Sequence, residues 1–472
     1  MPLSDKRKYH FYFAGLILAL TAIKWGDLHL PYFWDELGVY SRAASYQLHH
    51  IISLMPSSLP PDLSRGHPLL FTFLNALALH ALGENILSAH IFSLSVSVLL
   101  LTVIYFKVSK YFNPKAALLS IVILIAQPLF LAQSELVLPE ITLALFVFMA
   151  ICCYYETNYI GFAFFASLAT LTKESAIVLP IAVIGYSVLR WLLLRKRPGG
   201  ISIAPLLLSI TSLLVFGAFL MVQKHENGWF FFPQHINAVK ITFAVFSDQF
   251  QHFTNYLLQA QGRLLLTILT IAGFVFALLS NKVTQHRIAN SFIPLLVITG
   301  IGFLGFNSVT DLFMERYVLI VLVLYAICAA AAITAISSNK FFIALAAIIL
   351  ILIGYGNWDD GSFGYDSNLS YRREVHVLQQ AINYVEENAK PGEEVIGNFP
   401  IGFALNTKTA GYRNNDTPWY HDEGGEHAYY LLLTDPGTDF HPEKDNEEKT
   451  LLKTFDNGYA HVKVYFVKRK GL

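Results

Sequence analysis

The sequence predicts a polytopic α-helical membrane protein with about eleven transmembrane helices, interfacial helices in the first outer loop, and a C-terminal soluble α/β domain. Three observations carry this reading. Only 14% of the 472 residues are charged and 54% are hydrophobic, with a mean hydropathy of +0.48, whereas a soluble chain is nearer one quarter charged. Runs such as LLLSITSLLVFGAFLMV and YVLIVLVLYAICAAAAITAI are long enough to cross a hydrocarbon core of about 30 Å. After residue 356 the composition changes, and the tail holds more than half of the 33 acidic residues with no long apolar run. Two domains follow, a membrane domain over 1–356 and a soluble domain over 357–472.

Taken from the N-terminus, Lys6, Arg7 and Lys8 precede an apolar stretch over 11–23, which reads as a retained signal anchor. Apolar segments then lie near residues 68–83, 86–106, 116–133, 141–157, 159–172, 175–194, 201–222, 264–280, 291–306, 317–336 and 341–355. Short cytoplasmic loops are rich in Lys and Arg. The first basic cluster and the loop with Lys107, Lys110 and Lys115 can both be cytoplasmic only if two spans separate them. Three apolar segments do. The weakest, over 68–83, carries Asn75 and His80 and is read as a helix lying in the outer interface. The first outer loop is therefore 26–85. Alternation places Arg190, Arg195, Lys196, Arg197, Lys282, Arg287 and Lys340 inside, and the tail outside. Of the acids before the tail, only Asp5 and Glu156 fall inside. The expected location is a bacterial inner membrane, with a cytoplasmic N-terminus and a periplasmic C-terminal domain.

The formal net charge of zero predicts no nucleic-acid partner. Cys152, Cys153 and Cys328 sit in apolar segments and read as small core residues. In the tail, Val375, Leu378, Ile382 and Val385 make a helical stripe with Ser370 as its cap. PGEEVIGNF, AYYLLLTD and HVKVYFVK read as three strands. The tail shows no catalytic motif and reads as a lid or packing domain. Asn368 and Asn415 stand in glycosylation-type triplets that carry little weight.

The polar groups that remain cluster on the outer side. Asp35 and Glu36 lie in the first outer loop, as do Arg65 and His67. Glu135 and Glu140 flank one outer turn, Lys173 and Glu174 another, and Glu315 and Arg316 a third. Charge beside hydrocarbon is costly and needs a partner or a task, so these residues predict a polar cavity. Each also has a plainer reading. Arg65, Lys173 and Arg316 suit snorkelling anchors, Glu174 a helix N-terminus, and His67 the residue before a proline-started helix. Asp35 and Glu36 could open an interfacial helix with Leu37, Tyr40 and Ala44 facing lipid. Asp35 resists the plain reading best, because it follows Trp34 and its apolar surroundings are expected to raise its basicity.

Nucleotide sugars do not reach the outer leaflet, so an enzyme there must draw on a lipid-carried donor. A polyprenyl-phosphate sugar fits, with a carboxylate taking the acceptor's proton and cations or a metal stabilising the departing phosphate. Four stretches also resemble the glycosyltransferase C superfamily, in the branch of the dolichyl-phosphate-mannose–protein mannosyltransferases and the bacterial aminoarabinose transferases of lipid A. WDELGVYSRAA resembles the first-loop Asp-Glu motif, which implies that Asp35 is the base. HPLLFTFLNALALHALGEN resembles its non-spanning interfacial helix. SELVLPEITLALF resembles the second acidic motif, on Glu140, where the family often has Asp. LTKESA and ERYVL resemble stretches at the outer ends of later spans.

The expected activity is transfer of a sugar from a polyprenyl-phosphate donor to an acceptor hydroxyl or phosphate on a lipid, glycan or protein. Asp35 and Glu140 are the catalytic candidates. Glu36, Arg65, His67, Lys173 and Arg316 are the substrate-binding candidates. A divalent cation on Asp35 and Glu140 is left open. The alternative is a transporter or lipid flippase, which would place charge near the midplane on broken helices.

Overall fold

The computed structural model describes residues 3–194, 204–279, 292–337, 339–359, 364–390, 393–413, 428–435, 437 and 447–469. Arg195, Lys196, Arg197, Lys282 and Arg287, used above to order the loops, lie outside these residues, as does Asn415.

The helices of nine residues or more are α1 (Leu3–Lys24), α2 (Ser41–His49), α3 (Leu70–Leu82), α4 (Ile86–Tyr111), α5 (Pro114–Ala126), α6 (Glu140–Tyr155), α7 (Tyr159–Thr172) and α8 (Val178–Leu194). They continue with α9 (Ala204–Asn227), α10 (Phe243–Leu258), α11 (Arg263–Leu279), α12 (Phe292–Asn307), α13 (Leu319–Ile336), α14 (Lys340–Gly356) and α15 (Tyr371–Asn388). Asparagine starts several of them. Asn85, Asn113 and Asn158 accept hydrogen bonds from the amides of Ser88, Ala116 and Gly161 at 2.9, 2.9 and 3.0 Å. Each satisfies one of the donors that a helix start leaves free.

Among the described residues the expected apolar segments are helical, but 116–133 is broken at Gln127 into α5 and a short helix, Pro128–Gln133. Among the described residues, four helices are long and apolar enough to cross a bilayer by themselves, Ile86–Tyr111, Glu174–Leu192, Leu206–Asn227 and Glu315–Ile336. α10 and α11 would make a fifth only as a pair bent by 86°. The 13 residues of α3 span about 20 Å at 1.5 Å per residue, short of the hydrocarbon thickness.

α13 runs through the centre of the bundle, against α5, α6, α11 and α12. Its alanines let neighbours approach closely. A Cβ on Gly273 of α11 would meet the Ala332 carbonyl oxygen at 2.4 Å, and one on Gly354 of α14 would meet that of Ala126 at 2.0 Å. At one end of the bundle, Glu156 pairs with Lys107 at 2.8 Å and Lys110 at 2.7 Å. α6 therefore carries Glu140 at its start and no further charge until this cluster at the opposite end.

The tail forms a four-stranded sheet of β1 (Glu394–Gly397), β2 (Tyr429–Asp435), β3 (Glu447–Asp456) and β4 (His461–Arg469), in the order β1-β2-β4-β3. β1 and β2 are parallel and the other pairs antiparallel. α15 packs on β3 and β4, burying Val375, Leu378, Ile382 and Val385. The sequence reading misses β3. This is an exposed edge strand, so no buried face imposes alternation on it. Ser370 stands at the N-cap position as expected but makes no side-chain cap bond; its hydroxyl donates instead to Glu374 at 3.0 Å.

The tail is seated on the bundle. Trp34 packs edge-on against Tyr365 and Phe399, and the Tyr32 amide donates to the Ala410 carbonyl at 3.0 Å. The first outer loop thus lies between tail and bundle. Leu37, Tyr40 and Ala44 are buried in protein, which removes the reading in which they face lipid.

Candidate active site

Four segments far apart in sequence bring their charges together. Asp35 has helical dihedrals (φ −68°, ψ −23°) and leads directly into a π-helical turn, Glu36–Tyr40. Its neighbour Trp34 is held at φ 50°, a conformation that disfavours a bulky L-residue, and the rings of Tyr365 and Phe399 brace it there. Glu140 is the first residue of α6. Lys173 follows the last turn of α7. Arg316 stands in the 3-10 turn Glu315–Val318 that leads into α13.

Arg316 is the hub. Its Nη2 pairs with Asp35, and its Nη1 with Asp366 of the tail at 2.5 Å. Its Nε lies 3.6 Å from Glu140. A guanidinium suits this position because its rigid fork offers donors in several directions. Lys173 donates to Glu140 at 2.7 Å and stands over the Tyr317 ring at 4.1 Å. Arg316, Lys173, Glu140 and Asp366 are all buried, while Asp35 keeps 19% of its side chain exposed. Buried charge of this kind holds only when paired. Even so, Glu140 Oε2 and Arg316 Nε have no hydrogen-bond partner among the described residues.

Burial would raise the Asp35 pKa, but the Arg316 guanidinium, with Arg65 and Lys173 behind it, holds the carboxylate below its usual range. The expectation of raised basicity is thus reversed, because a cation touches the group. Asp366 moves the other way. Burial pushes it up, Asp35 and Glu140 add to the rise, and Arg316 offsets only part of it.

His67 and Arg65 lie on a second shelf beside the hub. His67 Nδ1 is 3.0 Å from Glu174 Oε2, and its ring lies 5.0 Å from that of His235. His235 is pushed down to about 4, by burial first and then by His67. Arg65 adopts φ 45°, and its charge bears on both Asp35 and His235.

Glu36 does not join the others. It turns inward, wholly buried, and accepts from the Phe33 amide at 3.1 Å, the Val137 amide at 2.8 Å and His90 Nε2 at 2.8 Å. Its carboxylate is used up by the protein, so it ties the first outer loop to the turn before α6. Glu135 is likewise drawn elsewhere. Lys24 meets Glu135 at 2.5 Å and Asp27 at 2.7 Å. Tyr371 donates to Glu135, and Arg372 meets Asp27 at 2.6 Å. This buried latch fastens α15 to the bundle.

The pair Asp35 and Glu140 does not fit a resident metal ion. Arg316 already supplies the cation between them, and no three His, Cys, Asp or Glu side chains gather as ligands among the described residues.

Sequence reasoning missed Asp366, His235 and the latch, and gave Tyr317 no part beyond its place in ERYVL. Asp366 carried a faint signal, as an acid within the aromatic stretch GYDSNLSY just past the last apolar helix.

Residues 66–230 match a family model described as dolichyl-phosphate-mannose-protein mannosyltransferase. No curated protein sequence matches the chain. Among solved structures, its fold is similar to that of ArnT from Cupriavidus metallidurans bound to undecaprenyl phosphate. That match has a TM-score of 0.56 and 13% identity, and covers 96% of this chain and 97% of that one. The apo state of the same protein gives 0.58 and 12% with the same coverage. AglB, an archaeal oligosaccharyltransferase from Archaeoglobus fulgidus in complex with an inhibitory peptide and a dolichol-phosphate, gives 0.52 and 11%, covering 87% of this chain and 64% of that one. In line with the resemblance read from the sequence, the chain is similar in fold to ArnT and AglB, and its match to the mannosyltransferase family model lies on residues 66–230.

Proposed function

We propose that this protein is an integral membrane glycosyltransferase that moves a sugar from a polyprenyl-phosphate donor to a nucleophilic acceptor on the outer face of the membrane. The observation that carries the reading is the convergence of Asp35, Glu140, Lys173 and Arg316, from four separate segments, at one end of an apolar bundle. Solved relatives in fold that hold undecaprenyl phosphate or dolichol-phosphate support a lipid phosphate as the donor's handle.

In this reading residues 1–356 form the membrane domain, with eleven spans and α3 in the interface, and 357–472 form a periplasmic domain. The location is a bacterial inner membrane with a cytoplasmic N-terminus. Arg316 and Lys173 receive the phosphate, with Arg65 and His67 beside them. Drawing Arg316 toward the phosphate loosens its grip on Asp35, whose basicity then rises. Asp35 takes the acceptor's proton as the acceptor attacks the sugar carbon and the bond to phosphate breaks. The cations stabilise the charge left on the phosphate. Glu140 positions Lys173 and Arg316, and Glu36 braces the loop that carries Asp35. A transporter would carry charge at mid-bilayer, whereas α6 has none between Glu140 and Glu156.

The test is transfer from a radiolabelled polyprenyl-phosphate sugar in membranes that hold wild type or Asp35→Asn at equal levels. A general base contributes about two to four orders of magnitude, so the variant should lose at least a hundredfold. Equal turnover would refute the assignment.

A further inference from the structure

We propose that Asp366 is a positioning residue that sets donor affinity: its carboxylate holds, on Nη1 of Arg316, the seat a lipid-linked phosphate takes, and the donor binds by displacing it. The inference rests on the function proposed above.

The hub is already full. Arg316 Nη2 faces Asp35, Nη1 faces Asp366, and Nε points toward Glu140. Three carboxylates thus crowd Arg316 and Lys173, with Arg65 the next cation outward. An anionic phosphate is repelled by these carboxylates and finds Nη1 of Arg316 taken unless one of them leaves. Asp35 is pinned by Trp34 between two tail rings. Glu140 is fixed on the first turn of α6 and by Lys173. Asp366 alone sits on non-helical chain, in the turns before α15, where its carbonyl accepts from Gln133 Nε2 at 2.6 Å. Its carboxyl also accepts a proton more readily than an ordinary aspartate, because it is buried beside Asp35 and Glu140, so losing its cation costs it less. The latch of Lys24, Asp27, Glu135, Tyr371 and Arg372 holds the chain five residues on. Tyr365, on the other side, is held against Trp34, so displacement is confined to Asp366 and the turn between these two anchors.

The experiment titrates the detergent-solubilised full chain with undecaprenyl phosphate and compares wild type, Arg316→Ala, Asp366→Asn, Asp366→Glu and Gln133→Leu. Removing the competing charge should lower the Kd by about tenfold in Asp366→Asn, a size consistent with one like charge at close range in a partly screened site. Asp366→Glu should stay near wild type. Gln133→Leu, which frees the turn and keeps the charge, should tighten binding severalfold. A merely structural role would not tighten binding. An unchanged or higher Kd in a folded Asp366→Asn overturns the inference. If that variant is not recovered folded, the same result in Gln133→Leu overturns it. Failure of both to fold makes Asp366 a support of the fold and overturns it too. Wild type that does not bind, or binding that Arg316→Ala leaves intact, overturns the proposed function as well. Arg316-dependent binding indifferent to Asp366 overturns this inference alone.

Discussion

The pair Lys173–Glu140 allows the site's electrostatics to be tested without a substrate. At 2.7 Å, the gross attraction is about 332/(20 × 2.7), or roughly 6 kcal/mol, at an effective dielectric of about 20. Both side chains are buried, at 8% and 2% exposure, and each ion loses several kcal/mol of hydration. The two quantities nearly cancel, so the intact pair adds little net stability. Breaking it is another matter. Glu140→Gln strands Lys173 over the Tyr317 ring, and Lys173→Met strands Glu140 with only Arg316 Nε at 3.6 Å. Each single change should cost about 3–5 kcal/mol. The double variant strands neither charge and should lose far less than the sum, leaving a coupling of about 3 kcal/mol. Denaturant unfolding in detergent, followed by tryptophan fluorescence, measures all three. Transfer should not recover with stability, since Lys173 is also a proposed phosphate ligand. A double variant as unstable as the two singles added together would refute the reasoning.

Three further outcomes are expected. Arg316→Lys keeps the charge but cannot fork to Asp35, Asp366 and Glu140 together, so the transfer rate should fall by about a hundredfold; steady-state assay in membranes checks it, and a near-normal rate would show that the fork is dispensable. Glu36→Gln places an amide against donors from Phe33, Val137 and His90, with a cost of about 1–3 kcal/mol for each donor left unmet; stability and kcat should drop while the Kd for undecaprenyl phosphate holds, and a selective change in that Kd would contradict the bracing role. Burial raises Glu374 from 4.5 to about 8 despite bonds from Gly364 and Ser370. The folded state therefore binds the proton more tightly, the stabilisation is complete below pH 4.5, and it is lost as pH rises through 8. Thermal melts at pH 5 and pH 8 should show that decline, and Glu374→Gln should flatten it.

How much of this was legible in the letters depends on how far apart the partners lie. Long apolar runs announce their helices, because the bilayer rewards composition over 15 to 20 consecutive residues. Asp35, Glu140, Lys173 and Arg316 stand out for the same reason, as charges at the ends of greasy segments. α10 does not stand out. Its Phe246, Phe250, Phe253 and Leu257 are interleaved with Asp248, Gln249 and His252, so a window that averages hydropathy passes over it. Pairing is less legible still. Glu135 looks like a member of the acidic motif, and nothing near it in sequence says that Lys24 and Tyr371 will claim it. Those residues lie over a hundred and over two hundred positions away. The same distance hides Asp366, whose partner is fifty positions earlier, with both α13 and α14 between them.

The reversal at Asp35 bears on the order of events. A base held by a guanidinium is a weak base, and its usefulness would be hard to see if Arg316 stayed in place. The proposed donor changes this, because its phosphate competes for the same guanidinium. In the empty site the negative charges of Asp35, Asp366 and Glu140 together satisfy one hub, and buried cations need such partners to remain charged. In the donor-bound site the phosphate supplies that partner, and Asp35 is left beside the sugar with less to hold it down. In the proposed mechanism, the cluster that keeps the site stable when empty thus also keeps Asp35 quiet as a base until a lipid phosphate arrives. This coupling requires the acids and cations to share one guanidinium rather than form separate pairs. That is the arrangement around Arg316, and it explains why an arginine, with donors on three nitrogens, suits the place better than a lysine.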